Sequence, residues 1–216
     1  MTLPVLYSFR RCPYAMRARM ALILTSHTCE LREILLTDKP DSMLEISPKG
    51  TVPVLQLEGR IIDESMDIIK WAIKSGSEKM HILSEDEEAM SDSLIQLFDS
   101  KFKYHLDRYK YSSRYQTLKE EHQEKCLEIL NSLEQKISDQ PWIFGKLVSL
   151  LDISILPFIR QCKIANPAWF KSQKFKRVIS LLEHFESSEL FNKAMEEFEL
   201  WDPKKSKVLI FPSSEL

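Results

Sequence analysis

The pattern of apolar and polar positions changes character near residue 77 of the chain. Before that point, apolar runs with short-period alternation predict strands at 4–8, 29–35 and 52–57. A turn at Glu58-Gly59 predicts that residues 60–63 pair back as a hairpin. The stretches 13–22, 41–46 and 64–73 predict helices, the last of them stopping near Gly76. The order β-α-β-α-β-β-α is typical of a small mixed sheet covered by helices.

The second part of the chain is predicted to be helical. Residues 77–88 are polar and are interpreted as a linker. Amphipathic patterns predict helices at 91–111, 113–138, 173–186 and 187–198. The segment 150–162 is apolar nearly all round, which places it at the centre of a helical bundle. The apolar stretch 208–211 in the tail packs on the body of the protein or adds contacts at a subunit interface, and its pattern leaves both roles open.

Composition excludes several classes of partner. The 216 residues include 30 basic and 32 acidic side chains, so the net charge is -2 and gives no support for nucleic-acid binding or electrostatic membrane attachment. No run approaches the roughly 20 apolar residues that a membrane span needs. The four cysteines are scattered without disulfide or metal-ligand spacing, and the N-terminus has no signal-peptide pattern. We therefore expect a reducing, cytoplasmic compartment.

Cys12 is the candidate for chemistry. It lies between the first predicted strand and the first predicted helix, and Pro13 suits the first helical position because its missing N–H would be unpaired there. The helix N-terminus favours a thiolate over a thiol, and Arg10 and Arg11 add positive charge. The sequence therefore predicts a nucleophilic cysteine with a lowered pKa. The alternative is a small buried cysteine on a strand-to-helix turn.

Four local patterns, in this order and at these separations, carry a resemblance to a known family. They are Cys12-Pro13-Tyr14-Ala15 before a helix, 47–55 (SPKGTVPVL), Asp63-Glu64-Ser65 opening a helix, and Gly145 followed by Ser149-Leu150-Leu151-Asp152. The chain resembles the cytosolic glutathione transferases, and among them the cysteine-containing omega-like and glutaredoxin-like members. The resemblance implies an α/β plus all-α protein. A thioredoxin-like domain with a mixed four-stranded sheet would occupy 1–76, and an all-helical domain would occupy 89–216.

The resemblance also implies a site for glutathione, with no metal. Pro53 would follow a cis peptide bond, and the backbone of Val52 would pair with the cysteinyl part of glutathione as an added strand does. An ordinary trans proline is the alternative. Ser65 and its helix N-terminus would hold the γ-glutamyl carboxylate while Glu64 faces the ammonium, although helix capping alone also explains both residues.

Further residues are assigned by the same resemblance. Phe9, beside Cys12, joins the glutathione-binding candidates. Lys49 is the candidate for the glycyl carboxylate, against the alternative of a solvated loop lysine.

The predicted helical domain contributes two sets of residues. Ser149 and Asp152 fit the spacing of a capping box, so Asp152 is assigned to stability rather than catalysis. Tyr104, Arg108 and Tyr111 are three or four residues apart and can share a helix face. In the family this helix faces the catalytic cysteine, so these three residues are candidates for binding the second substrate. An amphipathic surface stripe or a dimer contact is an equal alternative.

The predicted activity is glutathione-dependent thiol transfer or deglutathionylation through Cys12. Ala15 occupies the position of the second cysteine in dithiol thioredoxin-type enzymes, so free glutathione must resolve the intermediate. One alternative is conjugation of glutathione to electrophiles, assisted by the hydroxyl of Tyr7 or Ser8. Another is a non-catalytic binding or regulatory module that reuses the fold.

We also expect a homodimer. The family usually pairs subunits, and the 64–76 helix is apolar over more than one stripe, which is more than packing on the sheet requires. The alternative is that the helical domain of the same chain covers the second stripe.

Overall fold

The computed structural model describes residues 3–74, 79–205 and 207–213, which divide into two units. The first unit contains the described residues up to Lys74 together with those from Ser188 to Ser213. The second unit contains Lys79–Ser187.

The first unit contains a mixed sheet, whose strands are β1 (Val5–Ser8), β2 (Cys29–Glu33), β3 (Val54–Leu57), β4 (Arg60–Ile62) and β5 (Ile210–Phe211). Their order in the sheet is β4-β3-β1-β2-β5. The β1–β2 pair is parallel and the other pairs are antiparallel. Gly59 in the β3–β4 turn has φ +71°, a conformation that glycine adopts without steric cost. The predicted hairpin is therefore confirmed.

Four helices accompany this sheet. They are α1 (Pro13–Leu24), α2 (Asp41–Ile46), α3 (Ser65–Ile73) and α11 (Glu189–Ala194). The first seven elements follow the predicted order β-α-β-α-β-β-α. Helix α1 packs against both α3 and α11, so a helix from the C-terminal part of the chain helps to cover it. The predicted stop at Gly76 lies outside the described residues.

The tail packs on the body of the protein, which is one of the two roles left open for it, but it does so in an unexpected place. Residues 188–213 belong to the first unit rather than to the helical one, and the sheet has a fifth strand. In this strand Phe211 pairs with Cys29 and Ile210 with Glu30, while the Leu31 N–H donates to the Leu209 carbonyl at 2.7 Å. An edge strand offers unpaired backbone groups, and an apolar extended segment can satisfy them. The predicted domain 89–216 is corrected in this respect.

The second unit is helical. Its helices are α4 (Glu85–Leu97), α5 (Lys103–Lys110), α6 (Ser112–Tyr115), α7 (Lys119–Glu134), α8 (Leu150–Ala165), α9 (Pro167–Lys171) and α10 (Lys176–Ser187). A π-helical turn, Phe98–Phe102, joins α4 to α5. Every residue of α8 from Leu151 to Ile159 is buried, which confirms its predicted central place.

Two boundaries in this unit were predicted wrongly. Helix α4 begins inside the segment interpreted as a linker, because Ser84 and Glu87 form a reciprocal capping box. The predicted 113–138 helix is interrupted, because Gln116 takes the left-handed conformation with φ 52°. Among the described residues, no helix has the length and apolarity needed to cross a membrane.

Candidate active site

Cys12 ends the loop between β1 and α1. It is the N-cap residue of α1, with extended backbone angles, and Pro13 follows as the first helical residue. The Cys12 N–H donates to the Phe9 carbonyl at 2.9 Å. The side chain is half-buried, and its Sγ lies 3.8 Å from the carbonyl oxygen of Val52. The fold therefore brings the thiol next to the backbone that the family resemblance assigns to glutathione.

Val52 and Pro53 form the other wall of this site. Their peptide bond is cis, as the resemblance implies. Both residues are buried, and β3 begins directly after them at Val54. Phe9 is partly buried and packs on the apolar cluster that contains Val52. Phe9 and Val52, far apart in sequence, therefore rest on one core beside Cys12.

Lys49, Glu64 and Ser65 lie together at the start of α3. Glu64 is the N-cap residue, and Ser65 is the first helical residue and is buried. The Lys49 ammonium lies 2.6 Å from Glu64 Oε1 and 3.3 Å from Asp63 Oδ2. Partial burial opposes the charged form of Lys49, but hydrogen bonds and the charges of Glu64 and Asp63 outweigh it and raise the pKa of Lys49. Two residues predicted to hold opposite ends of glutathione are thus paired with each other.

The hydroxyls of Tyr7 and Ser8, the alternative activating groups, are both buried. The Tyr7 hydroxyl accepts a hydrogen bond from Arg32 Nη1 at 2.5 Å and lies 3.1 Å from Ser42 Oγ. The Ser8 hydroxyl accepts from Arg19 Nε at 3.0 Å. Each hydroxyl therefore already has a strong partner inside the protein.

The arginines before Cys12 have different surroundings. Arg10 directs its guanidinium to the C-terminal segment, where it lies 2.8 Å from Glu197 Oε1 and 3.2 Å from the Met195 carbonyl. Arg11 is exposed. The charge of Arg10 is thus shared with Glu197, which the sequence does not indicate. The backbone N–H of Arg10 donates to Glu33 at 2.6 Å, and Glu33 is a residue that sequence reasoning missed.

The other three cysteines lie away from solvent. Cys29, Cys126 and Cys162 are each 0% exposed, and none of the four cysteines is in a disulfide bond. Burial raises the pKa of the Cys29 thiol to about 12. Cys12 is therefore the only one of the four cysteines, all of them described, that is even partly accessible. Within the described residues, no cluster of three or more metal-ligating side chains is present.

Two of the three second-substrate candidates form one cluster in the second unit. The Arg108 guanidinium stacks over the Tyr104 ring at 3.5 Å and lies 4.7 Å from the Tyr115 ring. Tyr115 is a further residue that the sequence analysis missed, because it follows the break between α5 and α6. Tyr111 stands at that break, where the Lys110 ammonium lies 5.2 Å from its ring.

The capping box predicted at Ser149 and Asp152 is present at the start of α8, and both residues are buried. Asp152 Oδ2 accepts from the N–H and the hydroxyl of Ser149 at 2.8 and 2.6 Å. Its Oδ1 accepts from the Ile143 N–H at 3.0 Å. Burial nevertheless raises the pKa of Asp152 to about 6, against the lowering effect of these bonds. The Asp152 carboxylate therefore links the loop at Ile143 to the N-terminus of α8 inside the core.

Comparison with known proteins identifies the family. Residues 6–80 match the model described as "Glutathione S-transferase, N-terminal domain", and residues 116–184 match "Glutathione S-transferase, C-terminal domain". The chain belongs to the glutathione S-transferase family. Family membership makes glutathione the expected cosubstrate of this glutathione transferase.

Individual relatives and structures agree with this assignment. The chain is 28% identical over 157 residues to "Probable glutathione S-transferase MSR-1" of Nicotiana plumbaginifolia, covering 71% of each chain. The fold is similar to glutathione transferase Omega 3C from Trametes versicolor, with a TM-score of 0.76, 18% identity and coverage of 93% of this chain and 92% of that one. It is also similar to a family member from Pseudomonas fluorescens Pf-5 with two glutathione bound, with a TM-score of 0.74, 17% identity and coverage of 90% and 92%.

Proposed function

We propose that this glutathione transferase catalyses thiol transfer, with Cys12 as the nucleophile. The observation that carries the proposal is the contrast between three candidate groups. Cys12 stands half-buried at a helix N-terminus, beside the Val52 carbonyl. Tyr7 and Ser8 are buried, and their hydroxyls already accept from arginines. A helix N-terminus stabilises a thiolate, so Cys12 has both the access and the environment that nucleophilic attack requires.

The proposed cycle has two displacement steps. In the first, the Cys12 thiolate attacks the glutathione sulfur of a glutathionylated substrate, an S–S bond forms between Cys12 and glutathione, and the substrate leaves as a thiolate that takes up a proton. In the second, the thiolate of another glutathione attacks this mixed disulfide. Oxidised glutathione leaves and the Cys12 thiolate returns. In the net reaction the glutathionylated substrate and one glutathione thiol become a free substrate thiol and oxidised glutathione, so one thiol is consumed for each one released.

A cycle with a single reactive thiol also agrees with the positions of the other three cysteines. Ala15 stands where a resolving cysteine would be, and Cys29, Cys126 and Cys162 are each 0% exposed. A buried thiol cannot reach a mixed disulfide on Cys12 without local unfolding. Resolution therefore depends on glutathione from solution, and the rate of turnover should depend on its concentration.

The proposed glutathione site consists of Phe9, Val52-Pro53, Lys49 and Glu64-Ser65. The backbone of Val52 would pair with the cysteinyl residue as an added strand does, which puts the glutathione sulfur near Cys12. The Lys49–Glu64 ion pair would open when glutathione binds. Lys49 would then bind the glycyl carboxylate of glutathione, and Glu64 would bind its ammonium group. Such an exchange keeps every charge partnered.

The second substrate is proposed to bind at Tyr104, Arg108 and Tyr111. The stack of Arg108 on Tyr104 offers a cation and an aromatic face on one surface. Such a surface suits a substrate that carries an aromatic group or a negative charge.

We further propose a cytoplasmic location, since reactive and unpaired thiols persist in a reducing compartment.

The deciding experiment traps the intermediate. The protein is incubated with a glutathionylated peptide and no free glutathione, and the chain is then examined by mass spectrometry after proteolysis. We expect glutathione attached to Cys12 in the wild-type protein and no adduct in Cys12→Ala, which should fold normally. Cys12→Ser serves as the matched control because it keeps the size and polarity of the side chain. Full thiol-transfer activity in Cys12→Ala would show that the nucleophile is wrong.

The same variants separate this proposal from its alternatives. A conjugation enzyme that uses Tyr7 or Ser8 would form no mixed disulfide on Cys12 and would transfer glutathione to an aryl halide instead. A binding module would turn over neither substrate. Calorimetry with glutathione then decides whether the tripeptide site is intact, and no binding at millimolar concentration would favour a module without that site.

A further inference from the structure

Glu33 is a buried carboxylate whose two oxygens serve different parts of the first unit. It is the last residue of β2 and is 6% exposed. Oε1 accepts the backbone N–H of Arg10 at 2.6 Å. Oε2 forms an ion pair with the guanidinium of Arg19, which is fully buried.

The first contact holds the loop that presents Cys12. This loop runs from the end of β1 at Ser8 to Cys12. The hydrogen bond from the Cys12 N–H to the Phe9 carbonyl closes it from within. Glu33 holds it from outside, at the Arg10 N–H two residues before Cys12. Glu33 lies directly opposite Ser8 in the β1–β2 register, and the Ile34 N–H donates to the Ser8 carbonyl at 2.9 Å. The carboxylate is therefore anchored to the strand from which the loop departs.

The second contact fixes the helix that Cys12 caps. Arg19 lies on α1, and its Nε donates to the Ser8 hydroxyl at 3.0 Å. Its Nη1 donates to the carbonyls of Ala194 and Glu196 at 3.1 and 3.4 Å. The Trp201 N–H in turn donates to the Glu33 carbonyl at 2.8 Å. One ion pair thus connects β1, β2, α1 and the C-terminal segment.

Stability alone does not account for this ion pair. Burial raises the pKa of Glu33 and lowers that of Arg19, and in each residue the charge of the other opposes the shift. Removing two charges from water costs about as much as their attraction returns, so a buried pair is often replaced by apolar residues without loss of stability. What apolar residues cannot replace is an acceptor aimed at the Arg10 N–H.

We infer that Glu33 is a positioning residue for Cys12, acting through the Arg10 N–H to hold the thiol at the N-terminus of α1. The inference rests on the proposed function, because it concerns the reactivity of Cys12. Without the Glu33 acceptor, the backbone of the loop loses its anchor at Arg10, whose side-chain bonds to Met195 and Glu197 do not fix the peptide itself, and Cys12 no longer keeps a fixed place over the first N–H groups of the helix. The thiolate then loses the stabilisation that those groups provide.

Two double variants isolate the acceptor from the charge. Arg19→Met with Glu33→Met removes both charges and the acceptor. Arg19→Met with Glu33→Gln removes both charges and keeps an amide oxygen for the Arg10 N–H. The readout is the rate of alkylation of Cys12 by iodoacetamide near neutral pH, followed by mass spectrometry of the Cys12 peptide. Exchange of the Arg10 amide hydrogen is measured on the same proteins.

We expect alkylation of Cys12 to slow roughly tenfold or more in the Met–Met variant, as a small misplacement of a reacting group does. The Met–Gln variant should restore the rate to within about threefold of wild type, because its acceptor is retained. The Arg10 amide should be protected in the wild-type and Met–Gln proteins and unprotected in the Met–Met protein. Equal alkylation rates in the two variants would overturn the inference.

The failure of the proposed function gives a different result. If wild-type Cys12 reacts no faster than the thiol of a short peptide, there is no activated thiol to position, and both proposals fall together. If wild-type Cys12 reacts fast but its alkylation rate is the same in the Met–Gln and Met–Met variants, only the positioning role of Glu33 is refuted. If the Met–Met protein does not fold, hydrogen exchange of the Arg10 amide in the wild-type protein is the test. Rapid exchange there would refute the hydrogen bond to Glu33 as an anchor of the loop.

Discussion

Lys49 and Glu64 bind each other at the site proposed for glutathione, with Lys49 Nζ 2.6 Å from Glu64 Oε1. Their side chains are 35% and 68% exposed, so water screens the pair strongly. Exposed ion pairs contribute about 0–1 kcal/mol to folding. The pair is therefore a weak contribution to stability, and each member remains available to a charged ligand that offers better geometry.

Lys49→Met should consequently weaken glutathione binding more than it weakens the fold. We expect KM for glutathione to rise by roughly tenfold, since a charge-assisted hydrogen bond to a carboxylate is lost. The free energy of unfolding should change by less than about 1 kcal/mol. Steady-state kinetics and chemical denaturation measure the two quantities. Lys70→Met, an exposed lysine on α3, is the matched control. An unchanged KM in Lys49→Met would leave Lys49 as a solvated loop residue.

Tyr7→Phe tests whether a hydroxyl assists the reaction. The Tyr7 hydroxyl is 2.5 Å from Arg32 Nη1, and the Arg32 guanidinium also lies 4.4 Å from the Trp201 ring. Removing the hydroxyl should lower the free energy of unfolding by about 1–2 kcal/mol, because Arg32 loses a buried partner. The kcat for thiol transfer should stay within about threefold of wild type, since Cys12 carries the reaction. A loss of activity comparable to that of Cys12→Ala would favour the hydroxyl mechanism instead.

Local signals predicted most of the first unit. Apolar periodicity and turn residues are short-range, and here they agree with the packing, so the order from β1 to α3 and the bounds 41–46 of α2 were obtained from sequence. The site residues close to Cys12 were predicted from the order of the family motifs, because residue chemistry and spacing alone do not identify them. The cis bond before Pro53, for example, was an implication of the resemblance, and the structure contains it.

Contacts between distant segments could not be predicted in this way. The pairing of β5 with β2 joins residues about 180 positions apart, and no local pattern identifies its partner. Glu33 occupies a strand position like any other alternating residue, and only the fold shows that its carboxylate meets Arg10. The Glu85–Glu88 run was interpreted as a linker because it is polar, yet acidic residues in a first helical turn are favourable and Ser84 caps it.

The two capping boxes of the second unit should differ in their contribution to stability. Ser149 is 0% exposed and exchanges three hydrogen bonds with Asp152. Ser84 is exposed, and its hydroxyl accepts from the Glu87 N–H at 3.4 Å. We expect Ser84→Ala to lower the free energy of unfolding by about 0.5–1 kcal/mol and Ser149→Ala by about 2 kcal/mol or more. Thermal denaturation of the two variants compares them directly. Equal losses would mean that burial does not strengthen the cap.

Asp152 makes a prediction about pH. Burial raises its pKa to about 6 in the folded protein, against roughly 3.9 in the unfolded chain. The folded state therefore holds this proton more tightly, so stability from this group falls as the pH rises between these two values, by roughly 3 kcal/mol in total. The Asp152→Asn variant has no carboxyl at this position, so its free energy of unfolding lacks this dependence on pH. The destabilisation caused by Asp152→Asn should consequently be larger near pH 4 than near pH 7. A destabilisation that grows with pH would show instead that its hydrogen bonds lower the pKa.

The last prediction is that the protein forms a homodimer through α3. This helix buries Ile68, Ile69 and Ala72, yet Met66 and Ile73, which are two turns apart on one face, remain partly exposed. A surface helix needs one apolar stripe, so a second stripe is explained by a partner subunit, and a two-fold axis would make the contact self-complementary. Light scattering at micromolar concentration should give about twice the 25.4 kDa of one chain. Met66→Glu should shift the mass toward the monomer, because it puts a charge into that contact. Asp67→Asn, at an exposed position beside it, should leave the mass unchanged. A wild-type mass of a single chain would refute the dimer.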